Sequence, residues 1–216
     1  MCSSDLWSAP IVTGNTVVAA DNRGSFRASL VAVALGNGAQ RWKVDFGPHL
    51  VTKVGPPSTD GSRVYVTVAR YHGGTTWRYD LYAYDLTTGA QAWTAQLGVM
   101  GRFVSLRPAL YDNGYLYALS VNAPNFLLVT RYRASDGRVQ WTAQPAAGLS
   151  DLAVGGGAVW ASTSGGVERY DIDTGELLDM PVTAGPVRSF ALAGPDVFVD
   201  RKSTRLNSSH LVISYA

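Results

Sequence analysis

The chain has 216 residues, 46% of them hydrophobic and 16% charged, which is enough apolar mass for one large domain or two small ones. Twenty-three glycines, ten prolines and 11% aromatic residues point to short apolar strands joined by tight turns, and exclude a helical bundle or a disordered chain. A formal charge of +2 is too small for a nucleic-acid or membrane-surface protein, and no apolar run is long enough to span a bilayer.

The two ends read as foreign to the rest. Cys2-Ser3-Ser4-Asp5-Leu6 and the run from Asp200 to Ala216 back-translate, codon for codon, into common short-read sequencing adapters, with two index residues at Leu211 and Val212. Residues 1–6 and 200–216 are therefore expected to be adapter-derived and to add nothing to the packing, leaving 7–199 as the genuine, truncated domain. On that reading the only cysteine, Cys2, carries no information about redox compartment, and an export signal would lie upstream of the visible start.

From Ala9 onward two kinds of hairpin alternate. The first kind is an apolar strand, a tight turn and a β-branched or aromatic strand: Ile11-Val12 with Gly14-Asn15 and Val17-Val18, then Pro57 onward with Asp60-Gly61 and Val64 to Val66. It returns at Pro108 to Leu110 with Asn113-Gly114 and Tyr115 to Tyr117, at Leu152 to Val154 with Gly155 to Gly157 and Val159-Trp160, and at Phe190 to Leu192 with Gly194-Pro195 and Val197 to Val199. Asp-Gly and Asn-Gly between apolar runs are strong hairpin signals because both turn residues must tolerate positive φ.

The second kind places a strand before a glycine and a tryptophan four residues after it. Strands at Leu30 to Ala34, Leu81 to Asp85 and Leu127 to Arg133 precede the pairs Gly38 with Trp42, Gly89 with Trp93 and Gly137 with Trp141. A fourth copy, Val167 to Ile172 with Gly175, holds Asp179 where the tryptophan belongs, which predicts a weaker contact there. The glycines are 51, 48 and 38 residues apart. Two hairpins per period form a four-stranded antiparallel sheet, apolar on both faces, that must stack on its neighbours. The expected architecture is all-β: four propeller blades and the first hairpin of a fifth, an open arc with apolar terminal faces.

Ala83, Asp85, Thr88, Gly89 and Trp93 match at every defined position the A-x-D-x-x-T-G-x-x-x-W pattern of the PQQ-like, quinoprotein-type β-propeller repeat. Gly38 with Trp42, Gly137 with Trp141, and Asp171, Thr174 and Gly175 match in part, so the chain resembles that family over essentially all of 7–199. The expected role of these residues is structural: Asp and Thr tie the turn, Gly closes it with positive φ, and Trp packs between blades, as the resemblance implies.

Function is expected on the longer links at the opposite end of each sheet: Asp21 to Ser29, Phe46 to Val54, Tyr71 to Trp77, Leu97 to Ser105 and Val121 to Phe126. Arg23, Phe26, Arg27, His49, Lys53, His72, Trp77, Arg102, Phe103, Asn122 and Asn125 make the candidate face for a protein or small-molecule ligand. His49 and His72 lack the carboxylates of a metal site, and Asp171-x-Asp173-x-Gly175-Glu176 lacks the later ligands of a calcium loop. Neither a Gly-x-Ser-x-Gly elbow nor a phosphate-cradling loop is present.

The resemblance therefore implies a non-catalytic, extracytoplasmic, bacterial binding scaffold with no cofactor evident, similar to the barrel-assembly lipoprotein of the family. A fragment of a PQQ-dependent oxidoreductase whose catalytic residues lie elsewhere, or a sensor propeller fused to a kinase or membrane anchor, are the alternatives.

Overall fold

The structure, a computed structural model, describes residues 8–22, 28–47, 52–122, 126–146, 148–180, 187–193, 196–201 and 210–214. Every described regular element is a strand. The first blade is β1 (Ile11–Thr13), β2 (Thr16–Asp21), β3 (Ser29–Ala34) and β4 (Gln40–Asp45), paired antiparallel in chain order. The second comprises β5 (Thr52–Val54), β6 (Ser58–Thr59), β7 (Arg63–Gly73), β8 (Thr76–Asp85) and β9 (Gln91–Met100). Its β5 and β6 are two halves of one inner strand, both paired with β7. Gly55-Pro56-Pro57 separates them because proline cannot donate to the ladder, and a Cβ at Gly55 would collide with Thr67 Oγ1.

The third blade is β10 (Leu110–Asp112), β11 (Tyr115–Asn122), β12 (Phe126–Arg133) and β13 (Val139–Ala143). The fourth is β14 (Leu149–Gly155), β15 (Ala158–Thr163), β16 (Gly166–Asp171) and β17 (Leu177–Asp179). A fifth sheet holds β18 (Val187–Ala193), β19 (Asp196–Arg201) and β20 (His210–Ser214). Four four-stranded antiparallel units and part of a fifth are thus the architecture the repeat spacing implies. The last sheet has one strand more than the expected hairpin, with Val197 opposite Ile213 and Val199 opposite Leu211, although residues 200–216 were expected to add nothing.

Strand alternation sends neighbouring side chains to opposite seams. Val64, Val66 and Val68 pack with Val18, Leu30 and Ala32 of the first blade, whereas Tyr65, Leu81 and Ala83 pack with Leu116, Ala118 and Tyr132 of the third. Tyr117 and Val129 meet Val159, Ala161 and Tyr170 between the third and fourth blades, and Ala158, Trp160 and Val167 meet Val187 and Val197 beyond. The second, third and fourth blades are each thereby the wall of two cores, which explains apolar residues on both faces of one strand.

Two expected links are largely ladder. Tyr71 to Trp77 closes as a tight hairpin in which Tyr71 pairs with Trp77, and β9 continues through Leu97 to Met100. Gly73 pairs with Thr76, so only Gly74, at φ of 59°, and Thr75 are needed to reverse the chain. Strands of eleven and ten residues in β7 and β8, against six each in β2 and β3, make the second blade overreach the first.

Candidate functional site

The repeat turn uses the side chains that the pattern contains. Asp85 Oδ1 accepts from the Thr87 N–H at 3.0 Å, the Thr88 N–H at 2.8 Å and the Thr88 hydroxyl at 2.8 Å. Asp171 Oδ1 likewise accepts from the N–H groups of Asp173 and Thr174. The Thr88 and Thr174 backbone donors hold these two carboxyls below the usual aspartate range. In the third blade Arg133 stands at the Asp position, and Asp136 stands at the Thr position, where it accepts from the Arg138 N–H.

Each tryptophan reaches the next blade. Trp42 Nε1 donates to Leu86 O at 2.8 Å, Trp93 to Ala134 O at 3.0 Å and Trp141 to Ile172 O at 3.1 Å. Each ring also lies against the glycine of that next turn. A Cβ on Gly137 would stand 2.6 Å from Trp93, and one on Gly175 the same distance from Trp141, so these glycines are fixed by close approach as well as by φ of 73° and 74°. Thr88 Oγ1 and Thr174 Oγ1 accept from the N–H groups of Ala90 and Glu176.

In the fourth copy an ion pair stands where the other copies have a tryptophan. Asp179 occupies the register position of Trp93 and faces Arg169 where Trp93 faces Ala83. Arg169 grips its carboxylate with two bonds, Nε to Oδ1 at 3.1 Å and NH2 to Oδ2 at 2.7 Å, and its guanidinium lies 5.6 Å from the Trp160 ring.

Of the candidate ligand face, Arg23, Phe26, Arg27, His49 and Asn125 fall outside the described residues. His72 is an exposed residue near the end of β7, and Asn122 ends β11 opposite Phe126. Trp77 is the second residue of β8, with its ring 5.5 Å from Tyr71 and 4.9 Å from Phe103. Arg102 follows β9, and its carbonyl accepts from the Tyr79 hydroxyl, which in turn accepts from the Val104 N–H at 2.8 Å. The structure thus gathers Trp77, Phe103 and Arg102 at the overreaching end of the second blade. Phe103 is 45% exposed. Beside them a groove of about 400 Å³ is lined by Arg102, Phe126, Gln144 and Pro145. Tyr71 and Phe126 were missed in the sequence because neither stands out from an ordinary strand aromatic.

A second concavity, about 460 Å³, opens at the tight-turn end between the third and fourth blades. Arg131 stands there, its guanidinium 3.6 Å above the Tyr115 ring and its NH1 3.1 Å from Asp173 Oδ1. Among the described residues, no three His, Cys, Asp or Glu side chains converge as metal ligands.

The family model described as outer membrane protein assembly factor BamB matches residues 26–210. No curated protein sequence matches the chain. Among solved structures, the β-propeller domain of the trilobed protease from Pyrococcus furiosus is similar at 12% identity and a TM-score of 0.64, over 97% of this chain and 69% of that one. A puromycin-hydrolyzing peptidase from Mycobacterium tuberculosis is similar at 15% identity and a TM-score of 0.62, over 96% and 36%. A quinohemoprotein alcohol dehydrogenase from Pseudomonas putida HK5 is similar at 17% identity and a TM-score of 0.56, over 81% and 34%. The chain therefore spans about a third of that dehydrogenase's length. These likenesses concern the fold. With the repeat turns, the interlocking tryptophans and a family match over most of its length, the chain belongs to the BamB-type family of PQQ-like β-propellers.

Proposed function

We propose that this chain is part of a non-catalytic, extracytoplasmic binding propeller that holds an extended polypeptide at the overreaching end of its second blade. The observation that carries this reading is the aromatic group Tyr71, Trp77 and Phe103, set beside Arg102 at the end of the long β7–β8 hairpin. Aromatic and arginine side chains on a rigid frame are the usual anchors of a protein interface. The outer strand of the same blade, β9, is ten residues long and lies at the sheet edge, where an extended segment can add as a further strand.

The family description, an outer membrane protein assembly factor, supports a polypeptide as partner and an envelope location. The motif residues Asp85, Thr88, Gly89 and Trp93 are engaged in turn and seam contacts, which supports a scaffold role for them. The oxidoreductase reading rests on likeness of fold to the quinohemoprotein alcohol dehydrogenase.

The test is fluorescence anisotropy with a labelled peptide of alternating aromatic and polar residues. Trp77→Ala with Phe103→Ala is expected to weaken binding by about 2 kcal/mol or more, the size of an interface hot spot. Arg41→Ala, on an exposed strand of the first blade, is expected to leave it unchanged. Equal binding by the double variant and the unaltered chain would remove this face from the function.

A further inference from the structure

We propose that the cavity between the third and fourth blades is a binding site for a neutral, hydroxyl-rich ring of monosaccharide size. It goes beyond the polypeptide-binding reading, uses the opposite end of the sheets and stands or falls separately from it.

The internal repeat supplies the comparison. At the seam between the second and third blades, Tyr65 donates its hydroxyl to Asp60 Oδ2 at 2.7 Å, and the Tyr111 ring stacks on Tyr65 with centroids 6.3 Å apart. Strand register makes Tyr117 the equivalent of Tyr65, and Val154 that of Tyr111. Gly155 and Arg131 are in the same way the equivalents of Asp112 and Ala83. Where an aromatic ring fills the earlier seam, the later one has a valine followed by Gly155, Gly156 and Gly157, and about 460 Å³ is left open. That is within the range of about 300 to 1,000 Å³ typical of small-molecule pockets.

The cavity wall also carries polar atoms without partners. Tyr117 Oη and Arg131 Nε, in the cavity wall and shielded from bulk solvent, have no hydrogen-bond partner. Side chains so deeply placed ordinarily find one, through protein, water or ligand. Burial pushes the Tyr117 phenol up to about 12, so at neutral pH it carries its proton and can donate. Arg131 is 8% exposed and is held in place by the Tyr115 ring and by Asp173, which is 77% exposed.

Charge selects the ligand. The wall carries one guanidinium, Arg131, and two carboxylates, Asp112 and Asp173, so an anion meets repulsion from the aspartates and a simple cation meets Arg131. A hydroxyl group can donate to a carboxylate and accept from a guanidinium or phenol, and a ring bearing several can do both at once. The Asn113 amide, which bonds to Asp112 Oδ2 at 3.2 Å, is a further donor at the rim.

Saturation-transfer NMR on the 216-residue chain tests this with methyl β-D-glucopyranoside and myo-inositol as probes, methylammonium as a third probe and inorganic phosphate as competitor. Transfer to the two polyols is expected, with none to methylammonium and no displacement by phosphate. Val154→Tyr, which places in this seam the ring that fills the preceding one, is expected to lower polyol affinity at least about tenfold. Asp173→Asn, an exposed substitution, is expected to weaken it several-fold at an unchanged Tm, and decides the matter if Val154→Tyr fails to fold. Absence of transfer to either polyol, transfer undiminished in the variants, or preferential binding of methylammonium or phosphate would overturn the proposal.

Discussion

The seam between the second and third blades and the one between the fourth and fifth solve the same packing problem with opposite chemistry. In the former, the small Ala83 faces Trp93, whose ring covers Gly137 and whose N–H is satisfied by Ala134 O. In the latter, Arg169 faces Asp179 at the same register and binds it through two hydrogen bonds. In these two blades the position holds a complementary pair, small with large or positive with negative, whereas in the third blade Arg131 faces Trp141. Substituting one partner alone therefore costs more than changing both.

The largest effect that would sharpen the contrast is Trp93→Ala. Trp93 is partly buried, so its loss and the space left behind should cost at most about 3 to 5 kcal/mol, and chemical denaturation should read this as a fall in midpoint. Asp179→Ala should cost about 1 kcal/mol or less, since its ion pair with Arg169 is partly open to solvent. Equal losses from the two would erase the difference between an aromatic and an ionic seam.

Next is Gly137→Ala. Positive φ and a Cβ 2.6 Å from the Trp93 ring both oppose it, for a loss on the order of 1 to 3 kcal/mol. Gly61→Ala, at φ of 90° with nothing within 4 Å of the added carbon, isolates the conformational part and should cost less. Thermal melts of the two variants separate close approach from backbone strain.

The reciprocal exchange, Arg169→Ala with Asp179→Trp, rebuilds the Ala–Trp pair in the fourth blade. It should be less destabilising than the sum of the single substitutions, measured as a double-mutant cycle. Strict additivity would show that register equivalence does not carry energetic equivalence.

The smallest expected effect is one of pH. Asp85 and Asp171 have carboxyls depressed first by the backbone donors of Thr88 and Thr174, so the unfolded chain binds protons more readily. Their contribution is therefore present above the ordinary value of 3.8 and is lost as pH falls through the lower folded values. Asp85→Asn with Asp171→Asn should flatten the dependence of Tm on pH below that value. An unchanged acid limb would show that the turn carboxylates add nothing to it.

A further consequence concerns the first blade, whose outer face carries Val12, 60% exposed, with Val17, Val31 and Val33 partly open. Such a face predicts self-association of the 216-residue chain, and analytical ultracentrifugation should show species larger than the monomer.

The amino-acid sequence by itself determined the blades. Period-two alternation, the Asp-Gly and Asn-Gly turns, and the Gly-to-Trp spacing are local rules, satisfied within a few residues of one another, and they placed the strands around Gly38, Gly89, Gly137 and Gly175. Local rules did not set how far a hairpin extends. Tyr71 to Trp77 read as a loop because its residues are polar and glycine-rich, yet ladder pairing carried β7 and β8 through it. Nor did they reveal what faces what between strands. Arg169 opposite Asp179 and the unfilled space beside Tyr117 depend on register between segments roughly ten to forty residues apart. A side chain's partner across a sheet or a seam is set by tertiary packing, and its distance along the chain does not encode it.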